Sequence, residues 1–190
     1  YHAYRYGYET KIDEYKQTKY LAFLKENVDQ FVVQDLELHE FCPEAKIVPR
    51  SLNLQQFDFV GPANKDNPLV VHAPSNPEIK GTPLVRKAIE DLTAEGLRFR
   101  YREISNLPHT EAMELYRSAD IIIDQLHIGW YGVLAMEAMA LGKTVVTYVR
   151  EDLLERHVPR IPIVSANPDT ITDVLRRIIK DHEHREEAGR

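Results

Sequence analysis

Residues Asp120 to Val149 read DIIIDQLHIGWYGVLAMEAMALGKTVVTYV, and this stretch decides the fold. A short apolar run, Ile121 to Ile123, ends at Asp124, and a loop holding Gly129 and Gly132 follows. The small-residue segment Val133 to Leu141 predicts a helix with Glu137 inside it. Gly142 stops that helix, and a second apolar run, Thr144 to Val149, begins. Strand, glycine loop, helix, glycine stop and strand make a parallel βαβ unit.

The chemistry of this unit lies where the loop meets the helix. The first turn of a helix has backbone N–H groups without partners, and the aligned peptide dipoles place partial positive charge there. Gly132 brings no side chain to that turn, so a ligand can approach the backbone closely. A phosphate or diphosphate is the natural guest. Glu137 follows about one and a half turns further in. A carboxylate there repels a phosphate but accepts hydrogen bonds from a pair of sugar hydroxyls. Its neighbours Val133 to Leu141 are otherwise apolar or small, so it needs a partner or a wet cleft. Glycines at strand–helix junctions also serve packing alone, and most helical glutamates are merely solvated.

The bulk composition sets bounds on the rest. The chain has 190 residues, enough for one substantial core, with 43% hydrophobic and 28% charged residues. The net charge is −6 and no basic tract is present, which argues against a nucleic-acid binder. A single cysteine, Cys42, rules out an internal disulfide, and a reducing, cytoplasmic setting is the expectation. No apolar run approaches membrane-spanning length. The eight histidines and the carboxylates lack metal-ligand spacing, so no metal and no cofactor are expected.

Working outward, residues 1–30 are read as a residual segment or the end of a missing N-terminal domain. Tyr1, Tyr4, Tyr6 and Tyr8 form its torn edge, and Ile12, Tyr15, Leu21, Leu24 and Val28 give a weak helical stripe. Residues 31–190 are read as one domain. Phe31–Val33 and Lys46–Pro49 are short strands around a short helix, Glu37–Phe41, that Pro43 stops. Gly61 to Pro68 is turn chemistry. Leu69–His72 is a buried strand. The loop after it runs through Ser75 to Lys80-Gly81, with Thr82 as the N-cap of the next helix and Pro83 in its first position. Lys80 thus adds a full charge beside a second helix start. Two such strand-to-helix openings can face one crevice at the carboxyl edge of an open parallel sheet. Arg98–Ile104 is a charged strand near an edge, and Thr110–Ser118 is a helix. Glu151–His157 is a short helix, and Ile161–Val164 is a strand. Asn167-Pro168 caps a last helix, and the tail, Asp181 to Arg190, is expected to fray. Strands and helices alternate throughout, which predicts a doubly wound α/β sheet.

The segments VVHAPSNPEIKGT (70–82) and GWYGVLAMEAMALGKTVV (129–146) resemble the C-terminal, nucleotide-sugar-binding domain of GT-B glycosyltransferases, in the retaining family called glycosyl transferases group 1. In that family the first segment reads roughly strand, Arg, loop, Lys-Gly, helix. The second reads Glu-Gly-Phe-Gly, four residues, Glu-Ala, then Gly and a Pro-Val pair. The strand and loop from Ile47 to Leu54 also look like the family's lead into this domain. The resemblance covers nearly all of the chain from about Phe31. It implies a Rossmann-like parallel sheet with helices on both faces and a nucleoside-diphosphate-sugar donor. It implies that Lys80 contacts the donor diphosphate, with Gly81 beside it. The turn Gly132-Val133-Leu134 would offer N–H groups to the same phosphates. Glu137 would bind the ribose hydroxyls, and the loop near Ile104 to Leu107 would hold the base. Three positions depart from the family pattern. Gly129 stands where a glutamate ligand of the donor sugar is expected, Ser75 stands near the expected phosphate-binding arginine, and Trp130 replaces a glycine. Asp124 and His127 are candidate substitutes.

The leading expectation is a glycosyltransferase domain of glycan biosynthesis whose acceptor site lies on a missing N-terminal domain, so that this piece alone binds donor weakly and transfers nothing. The complete enzyme would be cytoplasmic, with room for peripheral membrane association. One alternative is a sugar-nucleotide epimerase of the same fold, with His72, His127 and Asp124 as acid/base groups. The other is a non-catalytic nucleotide-sugar-binding module, for which Gly129 is the best support.

Overall fold

The computed structural model describes residues 13–63, 66–156 and 161–190. Tyr1, Tyr4, Tyr6, Tyr8, Ile12 and His157 lie outside them. Helix α1 (Glu14–Asn27) is started by Asp13, whose carboxylate accepts from the Lys16 N–H at 3.1 Å. Strands β1 (Val32–Val33) and β2 (Lys46–Ile47) flank the short helix α2 (Leu36–Phe41) and pair in parallel as a small sheet of their own.

The main sheet is built from β3 (Leu69–His72), β4 (Arg100–Glu103), β5 (Ile121–Ile123), β6 (Thr144–Thr147) and β7 (Val164–Ser165). All four pairings are parallel, in the order β4-β3-β5-β6-β7. The strand alternation sorts its apolar residues onto two faces. Val70, Ile121, Ile123 and Val146 pack against α4 (Thr82–Ala94) and α8 (Ile171–Lys180). Val71, Ile122 and Val145 pack against α5 (His109–Ser118) and α6 (Val133–Ala140). Helices on both faces of a parallel sheet make the Rossmann-like α/β class that the pattern predicts. Strand β4, charged and exposed at alternate residues, is an edge strand, with β7 at the other edge. Chain order reverses between β3 and β5, so the ligand crevice of such a sheet belongs outside their carboxyl ends.

Several local expectations are corrected. Between β3 and α4 the chain forms a short helix, α3 (Pro77–Lys80), so Lys80 ends a helix rather than sitting in a loop. Gly81, at φ 73°, is the N-cap of α4, and Thr82 is the first helical residue, fully buried. The left-handed turn between two helices needs a glycine, which displaces the threonine by one position. After α7 (Glu151–Arg156), strand β7 starts at Val164 rather than Ile161. The helix after Asn167-Pro168 is not the last, and the tail does not fray. Residues His182–Ala188 form α9, anchored by a fully buried Arg185 that donates to the Ile178 and Ile179 carbonyls at 2.7 and 2.8 Å. These are last-turn carbonyls of α8 without helical partners of their own, and the guanidinium supplies the missing donors.

Candidate functional site

The loops leaving β3 and β5 meet at the switch point. Lys80 closes α3 and sends its ammonium to Asp124, the residue after β5, at 2.5 Å. The second Asp124 oxygen accepts the Gly132 N–H at 2.8 Å. Asp124 is fully buried, whereas the Lys80 side chain keeps 16% of its surface. A lysine ammonium carries three donors, so the bond to Asp124 leaves capacity toward the crevice. Gly132 is in extended backbone, so its need for glycine is steric. A Cβ there would stand 3.0 Å from an Asp124 oxygen and 3.4 Å from the Lys80 nitrogen. The triad therefore aims a cation and the start of α6 at one place. No side chain caps the α6 N-terminus, and Val133 is exposed there. Its first amides lack intrahelical acceptors by geometry.

Glu137 is 8% exposed, one helical face further along α6, and its carboxylate bonds His109 Nε2 at 2.8 Å. His109 opens α5, and its side chain is two-thirds exposed. Glu137 is thus a buried carboxylate whose partner, the His109 ring, is itself largely exposed. The β4–α5 turn that delivers His109 passes through Asn106 in the left-handed region, φ 56°, which asparagine tolerates. Sequence reasoning missed His109. No local signal pairs the two, since Glu137 lies 28 residues from His109.

The remaining candidates fall elsewhere. Gly81 is buried beneath Leu126, whose Cβ lies 3.1 Å from where a Gly81 Cβ would stand, so the start of α4 is closed and only the Lys80 side chain reaches out. Ser75 is exposed in the β3–α3 loop. Val133 and Leu134 open α6, as expected. At Gly129 a Cβ would overlap the Arg150 side chain at 2.4 Å, so Arg150 fills the space that a side chain at 129 would take. Arg150 also forks onto Glu40 of α2, at 2.7 and 2.9 Å, and onto Asp152. Trp130 stacks on Tyr131, centroids 4.9 Å apart, and buries against Val149, Leu153 and Ile161.

His72 is fully buried with both ring nitrogens engaged, one at the Ile123 carbonyl and one at Thr82 Oγ1, each at 2.9 Å. It bolts the end of β3 to β5 and α4, and its burial pushes its pKa below the usual histidine value. His127 Nδ1 bonds the Glu78 carbonyl at 3.0 Å and ties the β5–α6 loop to α3. Among the described residues no group of three or more His, Cys, Asp or Glu is disposed to hold a metal ion. No helix among them is long and apolar enough to cross a membrane.

A doubly wound domain with its polar groups gathered at the β3/β5 switch point has the architecture of the C-terminal domain of GT-B glycosyltransferases. The chain belongs to the family of glycosyl transferases group 1, whose model matches residues 78–190. It is 30% identical over 112 residues to an uncharacterized glycosyltransferase, MJ1607, of Methanocaldococcus jannaschii, a match covering 57% of this chain and 29% of that protein. Its fold is similar to that of sucrose-phosphate synthase from Thermosynechococcus elongatus, with TM-score 0.66, 20% identity, and coverage of 95% of this chain and 56% of that one. It is also similar to Anabaena HepE, solved in complex with UDP and glucose, with TM-score 0.66, 11% identity, and coverage of 94% and 61%. The chain thus spans under a third of the curated relative and little more than half of each structure.

Proposed function

We propose that this chain binds the nucleoside-diphosphate-sugar donor of a retaining glycosyl transfer, in the crevice between the β3–α3 and β5–α6 loops. The observation that carries the reading is the meeting of Lys80 and the Gly132 N–H on one carboxylate, Asp124, beside an uncapped helix start. The donor diphosphate competes with Asp124 for the ammonium and takes the amides of Val133 and Leu134. Glu137, held by His109, accepts the ribose hydroxyls, and the turn from Ile104 to Leu107 borders the base. As the sugar leaves, negative charge grows on the departing diphosphate. Lys80 and the α6 dipole are already oriented to stabilise it, which is how preorganised electrostatics accelerates a step. The structure of HepE with UDP and glucose, similar in fold, supports this class of ligand.

The acceptor belongs to a separate N-terminal domain across the cleft, and this piece alone transfers nothing. Epimerisation is less well supported, because His72, His127 and Asp124 are all committed to structural bonds. Calorimetric titration with nucleoside diphosphates tests the proposal, with Lys80→Ala and Glu137→Ala compared against the parent. Both substitutions are expected to weaken binding, and unchanged affinity in both would defeat the assignment.

A further inference from the structure

Glu37 lies on α2, outside the main sheet, and is only 6% exposed. The buried side-chain atoms without a partner among the described residues do not include its carboxylate oxygens, so these open onto solvent. Among the described residues no hydrogen bond or ion pair reaches them. Of the nearby arginines, Arg150 spends its guanidinium on Glu40 and Asp152, and Arg50, which lines the same cleft, donates through Nε to Gln34. Burial foremost, then the charge of Asp35, pushes the Glu37 carboxyl above the usual range, and Arg150 offsets this in part. Its side chain lines a cleft of about 210 Å³ together with Lys80, Gln125, Trp130, Tyr131 and Gly132. The unpartnered carboxylate therefore shares a cavity with the cation and the helix start of the crevice.

We infer that Glu37 is the hydrogen-bond acceptor for the hydroxyl groups of the donor's sugar, and so a specificity-determining residue contributed by α2. The inference rests on the donor-site reading above. A diphosphate would be repelled by this carboxylate, while a neutral polyhydroxyl group supplies the donors that it lacks. Its placement follows from the departure at Gly129. With no side chain at 129, Arg150 crosses that position and forks onto Glu40, one turn along α2 from Glu37. One arginine thus both excludes a side chain at 129 and holds α2 over the cleft.

The test compares, in the full-length protein, affinities for the best-binding nucleoside diphosphate and for its hexose esters. Glu37→Gln keeps the shape and removes the charge. It is expected to leave diphosphate affinity within about twofold, to weaken the preferred hexose ester by about tenfold, as loss of a charged hydrogen-bond partner does, and to melt no lower than the parent. Lys80→Ala is expected to weaken diphosphate and ester together. If Glu37→Gln shifts both ligands equally, or neither, while Lys80→Ala weakens both, the inference is overturned and the donor site stands. If Lys80→Ala and Glu137→Ala change nothing, the donor site itself falls and this inference with it. A lowered melting temperature with both affinities unchanged would mark Glu37 as structural and overturn the inference.

Discussion

The two edges of the main sheet both bury charge, and they treat it differently. At the amino edge, Asp120 accepts the Ala63 and Leu69 N–H groups, each at 2.7 Å. Lys143 donates to the Gly61 carbonyl, and Arg185 donates to two carbonyls of α8. Burial lowers the pKa of Lys143 and of Arg185, and Asp120 opposes both shifts. Here these bonds run to backbone groups that no ligand can displace, with the His182 ring beside the Arg185 guanidinium at 3.5 Å. At the carboxyl edge, Lys80 is bound to Asp124 and Glu137 to His109, side chain to side chain, while the cleft beside them holds Glu37. Such partners can be exchanged for a ligand's atoms. Buried charge bonded to backbone reads as stability, and buried charge bonded to exchangeable side chains reads as a site.

The sharpest way to break this contrast is Asp120→Ala. It orphans two backbone donors and leaves two buried cations with less compensation, at a cost of about 3–5 kcal/mol. Urea unfolding should show that loss, while nucleotide affinity of the folded protein stays unchanged; the reverse result would erase the distinction. Next in size, Lys80→Ala should weaken nucleoside-diphosphate binding by about 10- to 100-fold, the range for a hydrogen bond to a charged group. Calorimetry reads this directly. Gly129→Ala drives a methyl into Arg150 and should cost about 1–3 kcal/mol as overpacking, measured by thermal unfolding.

The smallest effects are in the pH dependence. His72 has a lowered folded-state pKa, so the unfolded chain takes up the proton first. Its contribution is intact above pH 6.5 and is lost as pH falls from there through the lower folded-state value. The slope is at most about 1.4 kcal/mol per pH unit, and His72→Gln should flatten it. Glu37 has the opposite sign, since its folded-state pKa is raised. Stability is highest when it is protonated and falls as pH rises through the folded value. The stability advantage of Glu37→Gln should therefore appear at neutral pH and vanish below pH 4.5.

Much of this is legible in the sequence alone. The Ile121–Ile123 and Thr144–Val149 runs, with the small-residue helix between them, identified the parallel unit, and charged Arg98–Ile104 identified an edge. Lys80, Gly132 and Glu137 were singled out by type and spacing, and the structure brings Lys80 and Gly132 together on Asp124. Three features were not legible. The charged tail reads as solvated, yet Arg185 is buried because helix α8 presents carbonyls for it to bond. Gly81 reads as an open phosphate loop, yet Leu126 covers it. Gly129 reads as a simple loss, yet Arg150 occupies its space.

The sequence by itself determined most of the strands and helices, α3 and α9 excepted, that the main-sheet strands run parallel, and which helix start is glycine-lined. These depend on side-chain periodicity and backbone freedom within a dozen residues. Only the tertiary structure decided which charges are partners. Asp124 lies 44 residues from Lys80, and Glu137 lies 28 from His109. The free energy of a buried charge is set by whatever stands within hydrogen-bond reach, and that depends on the order of strands in the sheet.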